Sequence, residues 1–126
     1  MKPWFEEKNA PNKGTVLCKA AEVKEEGVIE FEFGESIKTM FRMFIYRNQN
    51  NYFAYINRCP HFSVPLNLDC GDLFTSDKAQ FICSHHYATF NTTSGLCTDG
   101  PCKGRSLTSI PIQVKYGNIV VDECLK

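Results

Sequence analysis

The chain has 126 residues, enough for one domain with a buried core, and its 14 lysines and arginines are balanced by 14 aspartates and glutamates. A formal charge of zero without a basic stripe argues against nucleic-acid binding, and no segment approaches the roughly 20 consecutive apolar residues of a membrane span. Seven cysteines, an odd number behind an N-terminus with no apolar run, fit metal ligation better than a disulfide framework and predict a cytoplasmic chain.

Residues 1–13 read as a polar arm punctuated by Pro3 and Pro11, with Trp4 and Phe5 as its anchors. From Thr15 onward the apolar pattern has period two. Ile29, Phe31 and Phe33 fall on one face and Glu30 and Glu32 on the other, the pattern of a half-buried strand. Residues 20–26 allow a helical turn at most. Residues 37–46 predict a second strand with Phe41, Met43 and Ile45 on one side and Lys38 and Arg42 opposite; residues 47–51 are a turn, and residues 52–57 the returning strand. Residues 58–106 are rich in Pro, Gly, Asn, Asp, Ser and Cys, with short strands expected only at 81–83 and 89–91. Beyond them Ile110, Ile112, Val114 and Tyr116 alternate with polar positions, Gly117-Asn118 is the expected two-residue turn, and residues 119–121 return. The expected architecture is a single all-β domain: an antiparallel sandwich or barrel base from residues 14–57 and 107–124, with a loop-rich ligand-bearing subdomain at 58–106.

That subdomain holds all three histidines and two short groups, Cys59-Pro60-His61 and Cys83-Ser84-His85-His86. Each sets a thiolate beside an imidazole at a spacing only a tight loop uses. Two sulfur and two imidazole ligands from separate loops suit either a tetrahedral zinc or an iron–sulfur cluster. The spacing favours His86 over His85 as the second imidazole.

With Phe90, Gly95, Gly100-Pro101-Cys102, Leu107 and Pro111 following these groups, the chain resembles the Rieske iron–sulfur family from about Thr15 to Val121. The resemblance implies a 2Fe-2S cluster, with Cys59 and Cys83 on one iron and His61 and His86 on the other. Two neutral imidazoles in place of two thiolates make such a cluster easier to reduce, and proton loss from these imidazoles is expected to lower the potential at alkaline pH. The imidazole edges would reach the surface where a redox partner docks, under a proline loop at Gly100-Pro101.

Several departures set the chain apart from the high-potential respiratory branch. Val64 and His85 stand where that branch has a pair of disulfide-forming cysteines, and Ala88 and Phe90 where it has a serine and a tyrosine hydroxyl directed at sulfur. Missing hydrogen bonds leave electron density on sulfur, so a potential at the low end of the family range is expected, roughly −150 mV. Tyr87 and Ser63 replace common loop glycines, and a long connection runs through Cys70-Gly71-Asp72. Cys97 and Cys102 are expected as reduced thiols packed in their loop, and Cys18, Cys70 and Cys124 as small apolar residues.

Three histidines cannot serve this cluster and also a second mononuclear iron site, so a complete oxygenase is not expected. The expected function is a small Rieske-type ferredoxin carrying one electron between protein partners, from a reductase to a terminal oxygenase or similar enzyme. Two alternatives stand beside it: a small subunit of a multicomponent reductase of the nitrite reductase type, and a zinc-stapled β module.

Overall fold

The computed structural model describes residues 4–36, 39–58, 60, 66, 73–75, 79–83, 87–100 and 103–122. Its strands, in chain order, are β1 (Val16–Lys19), β2 (Val28–Phe33), β3 (Phe41–Asn48), β4 (Asn51–Ile56), β5 (Gln80–Ile82), β6 (Thr89–Asn91), β7 (Cys97–Asp99), β8 (Ile112–Lys115) and β9 (Asn118–Val121). All pair antiparallel, in three three-stranded sheets of order β1-β9-β8, β2-β3-β4 and β5-β6-β7. The fold divides into two compact units, Met1–Ile56 with Ser109–Lys126, and Asn57–Thr108.

The first unit contains two of the sheets and a core of Trp4, Val23, Phe41, Met43, Ile45, Ala54, Ile56, Ile110, Ile119 and Val121. Period two supplies it: Ile29, Phe31 and Phe33 pack against this core while Glu30 and Glu32 face solvent, as expected. Strand β3 is buried more fully than its alternation implies. Phe44 and Tyr46, opposite in sense to Met43 and Ile45, are also buried, and Phe44 lies 5.7 Å from the Tyr55 ring. Trp4, in a 3-10 turn at Trp4–Glu6, anchors the arm; Phe5, its other expected anchor, is exposed. A second 3-10 turn, Ala20–Glu22, is the expected helical turn, closed by a 2.8 Å bond from the Lys19 N–H to Glu22 Oε1.

The turn after β3 is tighter than the sequence pattern indicates, and the last one is shifted by a residue. Asn48 pairs with Asn51, leaving Gln49-Asn50 as a two-residue turn. The positive φ falls on Gln49 (58°), held by a bond from its N–H to Glu25 Oε2 at 2.7 Å and by Arg47 Nε on its carbonyl at 2.8 Å. In the last hairpin Lys115 pairs with Asn118, so the turn is Tyr116-Gly117 and not Gly117-Asn118. Both residues have positive φ, 53° and 80°, the type I′ sense that matches strand twist. Asn118 is thereby the first residue of β9. The chain leaves this unit after β4 and returns beside it, since Tyr55 bridges Ser109 and the Ile110 N–H donates to the Ala54 carbonyl at 2.8 Å.

The second unit is built on β5-β6-β7. Phe81 and Phe90 face each other in register and are fully buried, with Phe74 5.6 Å from Phe81. From edge strand β7, Thr98 Oγ1 reaches the Thr89 carbonyl on neighbouring β6 at 3.2 Å and, beyond it, Gln80 Oε1 on β5. The expected strand at 89–91 forms as read; the one at 81–83 is shifted back by one residue, which leaves Cys83 just past its end; β7 is an addition.

Candidate metal centre

Cys83 is fully buried at the mouth of the loop between β5 and β6. Its N–H donates to the Ala88 carbonyl at 2.8 Å, and the Tyr87 N–H donates back to the Cys83 carbonyl at 2.8 Å. These two bonds tie Cys83 to Tyr87 and Ala88. The closure requires φ 59° at Tyr87, which explains why glycine suits this position; an L side chain there costs about 1–2 kcal/mol. Ala88, next along, is completely buried.

A second loop presses on this turn. Thr89 pairs with Asp99 across β6 and β7, which sets Gly100 beside Ala88. A Cβ on Gly100 would lie 2.7 Å from Ala88 Cα and 3.0 Å from Ala88 Cβ, and its φ is +103°. Only glycine meets both conditions. The Gly100 N–H donates to Asp99 Oδ1 at 2.9 Å, and its carbonyl accepts from the Lys103 N–H at 3.2 Å.

The first loop is closed at its base by buried Asn57, whose Oδ1 accepts from the N–H of fully buried Leu66 at 2.8 Å. Within it, the Pro60 carbonyl accepts from Arg105 Nη1 at 3.2 Å. Arg105 is itself fixed, because its carbonyl accepts from the Cys97 N–H at 2.8 Å. Behind it Asn91 Oδ1 gathers the N–H groups of Thr93 and Ser94 at 2.9 and 3.1 Å, and the Leu107 N–H donates to Gly95 at 2.9 Å. Arg105 thus ties itself to Pro60, Asn57 ties to Leu66, and Gly100 packs closely on Ala88.

Of the four predicted ligands, Cys83 is described; Cys59, His61 and His86 lie outside the described residues. So do Ser63, Val64, Cys70, Gly71, Asp72, Ser84, His85, Pro101, Cys102, Cys124, Ile37 and Lys38. The described immediate neighbours are Pro60, between Cys59 and His61, and Tyr87, which follows His86. The donor chemistry fits an iron–sulfur cluster: a buried cysteine in a closed turn, next to a glycine cradle that a single Cβ would fill, with Ala88 and Phe90 wholly buried and apolar. Neither of those two side chains supplies a hydroxyl. Sequence reasoning singled out Gly100 but not its clasp on Ala88, and it missed Asn57 and Arg105, polar residues in a loop with no periodicity to mark them.

The remaining described cysteines belong to packing. Cys97 is buried and its thiol donates to the Asp99 carbonyl at 3.2 Å. Cys18 packs against the first unit's core, as expected of a small apolar residue; burial, and secondarily the Glu22 carboxylate, push its thiol pKa up, away from a reactive thiolate.

Comparison with known proteins adds a family match: the Rieske [2Fe-2S] domain aligns with residues 13–115. A search of curated proteins finds no match. Among solved structures, the ferredoxin of carbazole 1,9a-dioxygenase from Nocardioides aromaticivorans IC177 superposes with TM-score 0.65 at 19% identity, covering 88% of this chain and 98% of that one. The Sphingomonas yanoikuyae B1 ferredoxin gives TM-score 0.62 at 21% identity, over 90% of this chain and 100% of that one. A chain from a complex of reduced oxygenase and oxidized ferredoxin in carbazole 1,9a-dioxygenase gives 0.65 at 20% identity, over 85% and 99%. At these identities the likeness is one of fold.

Proposed function

Because this chain belongs to the Rieske [2Fe-2S] domain family, we propose that it is a ferredoxin-type carrier that takes one electron from a reductase and delivers it to a terminal oxygenase or similar redox enzyme. Its cofactor is a Rieske-type 2Fe-2S cluster, and its partners are redox proteins. Cys59 and Cys83 would hold one iron and His61 and His86 the other. When bound, the cluster supplies a one-electron reservoir.

The chain's own residues account for the rest. The turn bonds at Cys83 and Ala88 fix the backbone that presents the Cys83 sulfur, and Gly100 keeps the neighbouring loop in contact with that turn. Arg105, by holding the Pro60 carbonyl, restrains the backbone between Cys59 and His61. The apolar Ala88 and Phe90 keep water and hydroxyl donors away, which supports the low-potential reading of roughly −150 mV. The fold likeness to the ferredoxins named above supports delivery to an oxygenase. The cytoplasm is the compartment this reading assigns.

The observation that carries the proposal is the closed turn at buried Cys83 clasped by Gly100. Anaerobically purified protein is expected to be red-brown, to bleach with dithionite, and to give a reduced electron paramagnetic resonance signal with a mean g value well below that of an all-cysteine cluster. Colourless protein with stoichiometric zinc that stays colourless after reconstitution with iron and sulfide would overturn it. A dye-mediated titration giving a midpoint above about +100 mV would overturn the low-potential assignment.

A further inference from the structure

Asp99 is the one aspartate of the chain that a glycine follows, and no asparagine is followed by one. It is the last residue of β7, and both it and Gly100 are exposed. The Gly100 N–H donates to Asp99 Oδ1 at 2.9 Å and, among the described residues, to no carbonyl. The carboxyl carbon, one C–O bond from that oxygen, therefore lies at most about 4.2 Å from the nitrogen. Atoms that react from about 3–3.5 Å are already close to their attack distance. Closing the gap turns only the Asp99 side chain and ψ, past the last paired residue of the β6-β7 ladder.

Glycine also leaves its nitrogen without a Cβ to shield it. Packing forbids a larger residue there, because φ is +103° and a Cβ would lie 2.7 Å from Ala88 Cα. The contact that holds this loop against Ala88 thus has a reactive peptide bond directly before it. We infer that Asp99-Gly100 is a self-modification site, at which Asp99 passes through a cyclic imide to isoaspartate and loosens the contact of Gly100 with Ala88. In the first step Gly100 N bonds to Asp99 Cγ, and the carboxyl hydroxyl leaves with the amide hydrogen as water. In the second, water adds at the Asp99 main-chain carbonyl, whose bond to Gly100 N breaks. The main chain then runs through Cβ and Cγ, one methylene longer, beside a free α-carboxylate. Mass is conserved overall, and no oxidant or cofactor takes part. The added length falls just before Gly100, whose fit against Ala88 has no room for another carbon. Ala88 in turn holds the Cys83 N–H. The consequence for the cluster rests on the carrier reading above; the formation of isoaspartate does not.

The test keeps holoprotein at physiological pH and temperature beside a sample unfolded in urea, and locates isoaspartate in proteolytic peptides by electron-transfer mass spectrometry. Isoaspartate at 99 is expected to exceed that at Asp69, Asp72, Asp77 or Asp122 about tenfold, and to form in the native sample within about threefold of its rate in urea. Asp99→Asn closes the same imide with loss of ammonia and converts about tenfold faster; Asp99→Glu, which needs a six-membered ring, shows none. Over the same period the wild type loses visible absorbance and exchanges the Cys83 amide about fivefold faster, and Asp99→Glu does neither. Isoaspartate confined to the urea sample, or spread evenly over the aspartates, would overturn the inference. Isoaspartate at 99 with unchanged exchange at Cys83 would overturn the loosening. A protein that carries no cluster at the outset, even after reconstitution, would instead overturn the carrier reading and leave the peptide measurement standing.

Discussion

Gly100 is the residue on which the site's packing leans most directly. Replacing it by alanine combines a left-handed backbone with a Cβ 2.7 Å from Ala88 Cα, so Gly100→Ala is expected to cost roughly 3 kcal/mol, read as a lower urea midpoint, and to reduce cluster content with it. Cys83→Ser removes the one proposed ligand among the described residues with little change of volume; the visible absorbance should be lost while the far-ultraviolet circular dichroism of the β base persists. Tyr55 offers a different measurement. Burial first, and the neighbouring Tyr46 second, raise its phenol pKa in the folded state. The folded protein therefore keeps a proton that the unfolded chain loses above about pH 10, and stability falls as pH rises beyond that point. Urea midpoints between about pH 8 and 11 should decline less steeply in Tyr55→Phe than in the wild type.

Hairpin elements show how the side-chain pattern and the backbone divide the information. The alternation of Ile29, Phe31 and Phe33 was sufficient to place β2, because one face of that strand is wet and one dry. The same logic underestimates β3, where Phe44 and Tyr46 are buried as well as Met43 and Ile45, since a pattern of apolar residues does not say that both faces are covered. Strand β7 consists of Cys97, Thr98 and Asp99; three residues hold no period, and the strand exists through its pairing with β6. The final turn was assigned one residue late because a leading glycine is the usual mark of one turn type, whereas here glycine is the second central residue, after Tyr116. That placement carries a prediction: Tyr116→Asn creates the Asn-Gly pair that type I′ turns prefer and should stabilise the protein by about 0.5–1 kcal/mol, seen as a higher melting temperature. In the candidate site, the family is legible in the sequence because its chemistry is written in residue type and spacing, and the match over residues 13–115 bears that out. The clasps at Asn57, Gly100 and Arg105 are not, because each is a contact across residues that share no sequence period.

At the scale of the molecule, the chain divides its labour between two units of unequal self-sufficiency. Among the described residues, the first has a ten-residue apolar core and strands of up to eight residues; the second has three strands of three residues each, with Leu66, Leu73, Phe81, Phe90 and Leu107 buried. Stability that a small loop-rich unit lacks in core is commonly supplied by a bound metal. Removing the cluster with a chelator under oxidising conditions should therefore speed amide exchange in β5, β6 and β7 far more than in β2, β3 and β4, measured by hydrogen exchange and mass spectrometry. The bridge of Tyr55 to Ser109, and the bond from Ile110 to Ala54, bear on how such a chain tolerates insertion. They pin together the two points between which the second unit is strung, so the base bears the cost of bringing those ends together whatever lies between them. Each doubling of a flexible connection then costs only about 0.6 kcal/mol more. By this reasoning, inserting a few residues between His61 and Cys83 is expected to leave the sheets of the base intact.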